Sequence, residues 1–197
     1  TTLFRSNFFQ TLYNVGGLQQ LFPEAAVIVE NPQTAKLFQT ISERMYNKGC
    51  PIEQMFAILC YFIGEEHGLA TTKSFIHNSY ISNKSKTLAE TLITYYNPVH
   101  MLNQLSNHDI YILIARLDPA RRKQRYADFI SIVHQIAVSK NEQKTRDHLD
   151  LLKKIINRFN RIKYEEIRTN YPDTFVMQIF KQKMILIEQM VAEFPES

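Results

Sequence analysis

Glycine is scarce in this chain, five in 197 residues, and tryptophan is absent. So few glycines leave little for the tight turns of a β-rich fold. Without tryptophan the chain lacks the preferred anchor of a membrane interface. Only two cysteines occur, Cys50 and Cys60, both in apolar settings. They fit free buried thiols in a reducing compartment better than a disulfide framework. No apolar run approaches the roughly 20 residues that span a bilayer, and no signal-peptide pattern is present. No repeat of fixed period and no low-complexity segment occurs. The chain opens on Thr1 rather than Met, which reads as a domain cut from something longer.

What is present is ordinary globular material: 45% hydrophobic, 21% charged, net charge +4 and a pI near 9.0. Its apolar residues recur at steps of three and four, the spacing of helices with one buried face. Residues 2–14 form such a segment, stopped by Gly16-Gly17. Residues 24–30 are open between a short helix and a buried extended piece. Asn31-Pro32 starts a helix that Gly49 ends, and Pro51 starts another that Gly64 ends. Residues 65–86 mix Gly, Ser, Thr, Asn and His. They read as a long connection with one short helix near residues 72–78. Residues 83–96 form a helix that Asn97-Pro98 breaks. Residues 110–117 are apolar on nearly every side, which predicts a surrounded central helix. Three long helices follow from Pro119 onward, the second running towards Arg168. The expected fold is an all-α multi-helix bundle: three long C-terminal helices in antiparallel array, capped by shorter N-terminal ones. Residues 1–197 are read as a single domain, with a subdivision into a cap (1–105) and a long-helix bundle (106–197) left open.

The segment that stands out runs from Leu117 to Tyr126. Asp118 suits an N-cap and Pro119 the first helical position. Arg121, Arg122, Lys123 and Arg125 then crowd the first turns, where the macrodipole disfavours cations. Such a violation of local preference points to function, here the capture of an anion by free N–H groups, dipole and cations together. A second basic group, Lys153, Lys154, Arg158, Arg161 and Lys163, follows on the next helix, and spacings of four and three put Lys154, Arg158 and Arg161 on one stripe. Antiparallel packing of the two helices would bring the groups together.

Other chemistry finds less support. Lys73, Phe75, His77, Tyr80, Lys84 and Lys86 interleave charge with rings, a pattern suited to an interface or to single-stranded nucleic acid. Inward-turned aromatics of an ordinary loop explain it as well. The six histidines form no H-x-x-x-H or E-x-x-H pair, and Cys50 and Cys60 are too isolated for zinc, so no metal and no cofactor is expected. Phosphate-loop, dinucleotide and nucleophile motifs are missing, and the chain does not announce an enzyme.

Thr1-Thr2-Leu3-Phe4-Arg5-Ser6-Asn7 resembles the segment of Ras-type GTPase-activating domains that carries their arginine finger. The resemblance implies that Arg5 would stabilise charge on a transferred phosphoryl group. The match covers these seven residues, and the family's second signature, Phe-Leu-Arg followed by Pro-Ala, is absent.

The leading expectation is therefore a non-catalytic binding module. Its ligand would be an anionic surface or phosphorylated molecule, such as a phosphoinositide or acidic membrane headgroup. Cytoplasmic location at the periphery of a membrane goes with it. A protein–protein scaffold and a small-GTPase regulator using Arg5 are the alternatives. Nucleic acid ranks behind them, given the modest net charge and no recognised binding motif.

Overall fold

The computed structural model describes residues 6–194. All regular structure among them is helical, and no strand occurs among the described residues. The helices are α1 (Ser6–Asn14), α2 (Gly17–Leu21), α3 (Val27–Glu30), α4 (Pro32–Asn47), α5 (Ile52–Asn78), α6 (Asn83–His100), α7 (Asn107–Leu117), α8 (Lys123–Ser139), α9 (Gln143–Phe159), α10 (Tyr164–Asn170) and α11 (Phe175–Ala192). Short 3-10 turns lie at Pro23–Ala26, Leu102–Gln104 and Pro172–Thr174. The expected all-α multi-helix bundle is what forms. The open stretch 24–30 is helical throughout. The chain makes two compact units, one of Thr1–Tyr96 with Ala127–Glu142, the other of Asn97–Tyr126 with Gln143–Ser197.

In the first unit, Asn31 caps α4 as the Asn-Pro pair predicts: its carboxamide oxygen accepts from the N–H groups of Gln33 and Thr34 at 3.0 and 3.2 Å. The first half of α5 is the centre of this unit, with every residue from Gln54 to Ile63 buried. Phe62 meets Phe38 edge-on at 5.9 Å, and Phe38 meets Phe9 at 5.7 Å.

Residues 72–78 are helical as the sequence indicates, but residues 65–71 are not a connection. Helix α5 passes through Gly64 and kinks at Gly68, whose φ of 78° only glycine adopts at little cost. It then resumes to Asn78. Thr72, Phe75 and Ile76 are buried at helical spacing there, and Phe75 stacks on Phe56 at 6.1 Å. Gly64 does not terminate the helix; it packs beside Thr72, and a Cβ at that position would sit in ordinary contact, 3.4 Å from the Thr72 hydroxyl. Pro98, read as a breaker, sits inside α6. It forfeits one helical bond in the final turn, while the next residue, Val99, is fully buried and anchors that turn.

In the second unit, Ser106 starts α7 by accepting from the Asp109 N–H at 3.1 Å and donating its hydroxyl to the Asp109 carboxylate at 2.6 Å. Helix α7 buries Ile110, Leu113, Ile114 and Leu117 but leaves Ile112 41% exposed. The expected surrounded helix is thus a one-faced one, packed against α11. Helix α9 presents Leu149, Leu152, Ile155, Ile156 and Phe159 to the core, and α11 lies across it with Ile187 buried. Helix α9 does not run on towards Arg168 as expected. It stops at Phe159, whose carbonyl accepts from the Ile162 N–H at 3.2 Å and from the Tyr164 hydroxyl at 3.4 Å.

His148 of α9 is buried, with Nδ1 donating to the His100 carbonyl at 2.9 Å. Burial, assisted by nearby Lys144, holds its imidazole below the ordinary histidine value even though the hydrogen bond favours the charged form. The unfolded chain therefore binds this proton more readily than the folded one. The contribution is complete above about pH 6.5 and is lost as the pH falls from there towards the lowered folded value. Urea midpoints measured from about pH 7.5 down to about pH 5 should fall, and His148→Gln should flatten that decline. An unaltered decline in the variant would remove His148 as its source.

Candidate functional site

The structure rearranges the basic segment. Asp118 is not an N-cap. It ends α7 in the left-handed conformation, φ 51° and ψ 56°, with its N–H on the Ile114 carbonyl at 3.0 Å. Aspartate tolerates this geometry better than most residues. Residues 119–122 turn, and α8 begins only at Lys123. The Asp118 carboxylate consequently faces the arginines instead of helix N–H groups. Arg121 Nε lies 3.0 Å from it and Arg122 Nε 3.6 Å. Arg125 reaches back to the carbonyls of Arg116 and Leu117 at 3.5 and 3.4 Å. There it caps the C-terminus of α7, the end where the dipole favours a cation. The supposed clash between charge and dipole is thereby largely dissolved. Lys123 alone of the four is exposed without an ion pair among the described residues.

The second group fares differently. Lys154 and Arg158 share one stripe of α9, as their spacing predicts, while Arg161 lies in the turn just past the helix end. With Asn157 they form one wall of a groove of about 670 Å³, and Met190, Glu193 and Phe194 lie across it. Asp147 and Asp150 occupy the other end of the stripe. Arg158, in the last turn of α9, complements its dipole. Asp150 pairs with Lys153 at 2.9 Å. Lys154, Arg158 and Arg161 are exposed and form no ion pair among the described residues. Lys163 is bound to Glu166 at 2.7 Å and does not line the groove. Neither do Arg121, Arg122, Lys123 and Arg125. Arg5 lies outside the described residues.

Charge is divided unevenly along the chain. The unit of Asn97–Tyr126 and Gln143–Ser197 holds 15 Lys and Arg against 10 Asp and Glu, a net +5. The other holds 8 against 9, a net −1. Its most connected cation, Lys140, is fully engaged: the Tyr61 hydroxyl and Glu65 lie at 2.7 Å and Glu142 at 3.7 Å. Tyr96 donates to Glu142 at 2.7 Å. Burial pushes the Tyr61 and Tyr96 hydroxyls well above the ordinary phenol range, so both stay protonated donors. Both cysteines are free, and burial raises both thiols, which suppresses the reactive thiolate.

Sequence reasoning passed over one cluster. His108 and Tyr111 on α7, and Phe180 and Lys183 on α11, are each three residues apart, the spacing of one helix face. The signal was available, but the two faces meet only in the fold.

No family model matches the chain, and no solved structure matches it. Curated relatives do. The chain is 27% identical to the multifunctional CCA protein of Xylella fastidiosa over 145 residues, 61% of this chain and 35% of that protein. It is 21% identical to the protein of the same description from Alcanivorax borkumensis over 165 residues, 72% and 40% of the two chains. For that of Acinetobacter baumannii the identity is 22% over 147 residues, 62% and 36%. The matched spans cover 35% to 40% of the length of these relatives. These similarities overturn the expectation of a phosphoinositide- or membrane-binding module, and with it the alternatives of a scaffold and of a GTPase regulator acting through Arg5. All three relatives are multifunctional CCA proteins, and none is described as a lipid-binding or GTPase-regulating protein. No helix among the described residues is long and apolar enough to cross a membrane.

The turn geometry separates structural from available cations. Arg125→Met should cost about 1 kcal/mol in urea denaturation, because two helix-end carbonyls are deprived of a charged donor. Arg121→Met should leave the midpoint nearly unchanged, since the Arg121 side chain is exposed and Asp118 keeps Arg122 as a partner. Equal losses in both variants would contradict the capping role of Arg125.

Proposed function

We propose that this chain is the RNA-holding helical part of a CCA-type protein. The RNA would be tRNA, whose 3′ end carries the trinucleotide CCA. The similarity to three multifunctional CCA proteins is the observation that carries this reading. The charge distribution supports it: the excess of cations lies in one unit, at net +5, as a polyanion-binding surface requires. Within that unit Lys154, Arg158 and Arg161 are the cations best suited to backbone phosphates. They line one groove, are exposed, and have no carboxylate partner among the described residues. Lys123 is a further candidate. Arg121 and Arg122 are partly committed to Asp118, Arg125 to the end of α7, and Lys163 to Glu166.

Interactions of this kind hold RNA by shape and charge and do not read sequence. The part assigned to this chain is therefore positioning. An Arg guanidinium matches two phosphate oxygens at once, and Asn157 between the basic residues offers an amide donor to a neighbouring oxygen. Each phosphate engaged releases a counterion, so affinity falls with salt along a slope set by the number of phosphates held.

Fluorescence anisotropy with labelled tRNA tests the reading. The unaltered chain should bind tRNA, and the affinity should fall steeply with salt. Arg158→Glu with Arg161→Glu should weaken binding at least tenfold and flatten the log–log salt slope by about 0.7–0.9 for every phosphate that is no longer neutralised. Lys73→Glu, in the unit of net −1, should change little. No tRNA binding at low salt would refute the proposed function. Unchanged binding in the double variant would move the RNA-binding surface off α9.

A further inference from the structure

Away from the α9 groove, the basic unit carries a lysine set among aromatic rings. The Lys183 ammonium lies 5.3 Å from the centre of the Phe159 ring, 5.8 Å from that of Tyr111 and 5.9 Å from that of Tyr164. Phe180, one turn earlier on α11, meets Tyr111 edge-on at 5.2 Å and 88°. His108 lies 6.3 Å from Phe180 on its other flank. Phe159 is buried and forms the floor. Tyr164 and Phe180 are 37% and 36% exposed, and His108 is exposed. The cluster is thus open to solvent through its rings.

Its electrostatics are unbalanced. Partial burial depresses the Lys183 pKa. The ring faces replace only part of the lost hydration of the ammonium. Lys183 has no carboxylate partner among the described residues. A purely apolar partner docking here would bury this charge uncompensated, which is costly. An anion with a flat unsaturated ring attached satisfies both halves of the cluster at once, and a nucleotide has that shape. Exposed rings beside an unneutralised cation are the composition of single-strand binding surfaces.

We propose that these residues form a stacking platform for unpaired nucleobases of RNA, with Tyr164 and Phe180 receiving bases and Lys183 the adjoining phosphate. The inference rests on the RNA reading above and adds to it a preference for unpaired over duplex segments. His108 and Tyr111 are positioning residues, holding Phe180 and Lys183 in place.

The test uses the full chain and three labelled probes: an unstructured RNA oligonucleotide, its abasic counterpart with the same phosphates, and a blunt RNA duplex. The platform requires the base-bearing strand to bind about tenfold more tightly than the abasic one. Tyr164→Leu and Phe180→Leu preserve apolar bulk and remove the ring. Either should cancel that preference while leaving duplex binding unchanged. Tyr164 is the more exposed of the two in its setting at the start of α10, so its variant remains informative if Phe180→Leu loses stability in thermal unfolding. Lys183→Met should lower the salt slope for the single strand by about 0.7. With no tryptophan in the chain, quenching of tyrosine fluorescence by the base-bearing strand alone gives an independent readout. Equal binding of abasic and base-bearing strands overturns the platform while leaving RNA binding intact. So does a preference that survives both ring substitutions. Absence of binding to tRNA and to all three probes overturns the RNA reading, and the platform with it.

Discussion

The first unit depends on one constraint: the burial of α5 from Gln54 to Ile63 on every side. Each large apolar side chain taken fully from water there contributes about 1.5–3 kcal/mol. A helix with no solvent face must be wrapped, so the neighbouring residues are chosen to wrap it. Phe38, Ile41 and Met45 of α4 are fully buried, as are Phe129, Ile132, Val133 and Ile136 of α8. Among the buried polar side chains of this core, the Gln54 amide donates to the buried Asp128 carboxylate at 2.7 Å. The Gly68 kink belongs to the same arrangement. It lets the second half of α5 depart from the first direction and still bury Thr72, Phe75 and Ile76.

Each unit also sets a lysine among aromatic rings, and the two solve the desolvation of an ammonium differently. Lys140 lies 5.2 Å from the Tyr61 ring and 5.9 Å from that of Tyr96, and Glu65 and Glu142 neutralise it. Its hydrogen bonds close within the protein, which makes it a structural tie. Lys183 has the rings without the carboxylates among the described residues. The same chemical pair, aromatic and ammonium, is thus saturated in the unit of net −1 and unsaturated in the unit of net +5.

A similar distinction runs through the cations of the basic unit. Crowding alone says little about availability. Arg121, Arg122 and Arg125 crowd one short stretch of sequence, yet each meets a carboxylate or helix-end carbonyls, and Lys163 meets Glu166. Lys154, Arg158 and Arg161 are more dispersed and remain open along one groove. Surface ion pairs are weak and exchange readily, so the engaged arginines are biased rather than locked. The open ones need no rearrangement to meet a phosphate, and this places the stronger claim on α9.

The all-α class, the helix start at Asn31 and the Lys154–Arg158 stripe of α9 were legible in the sequence. Each follows from local rules: periodicity of three and four, or a side chain bonding N–H groups two or three residues away. The continuation of α5 through residues 65–71 was not legible, because polar residues with Gly64 and Gly68 masked it. The role of Asp118 was misread for a related reason. Aspartate before proline suits a helix start, but a left-handed residue also ends the preceding helix, and the packing of α7 decided between them. The charge imbalance between the units was hidden because residues 127–142 join the first unit across a sequence gap. The cluster around Lys183 assembles from α7, α9, α10 and α11, whose contributing residues lie up to 75 positions apart, from His108 to Lys183. Local sequence carries information over a helical turn. Which cations find a carboxylate, and which rings surround a lysine, depends on distant helices meeting, and that happens only once the chain has folded.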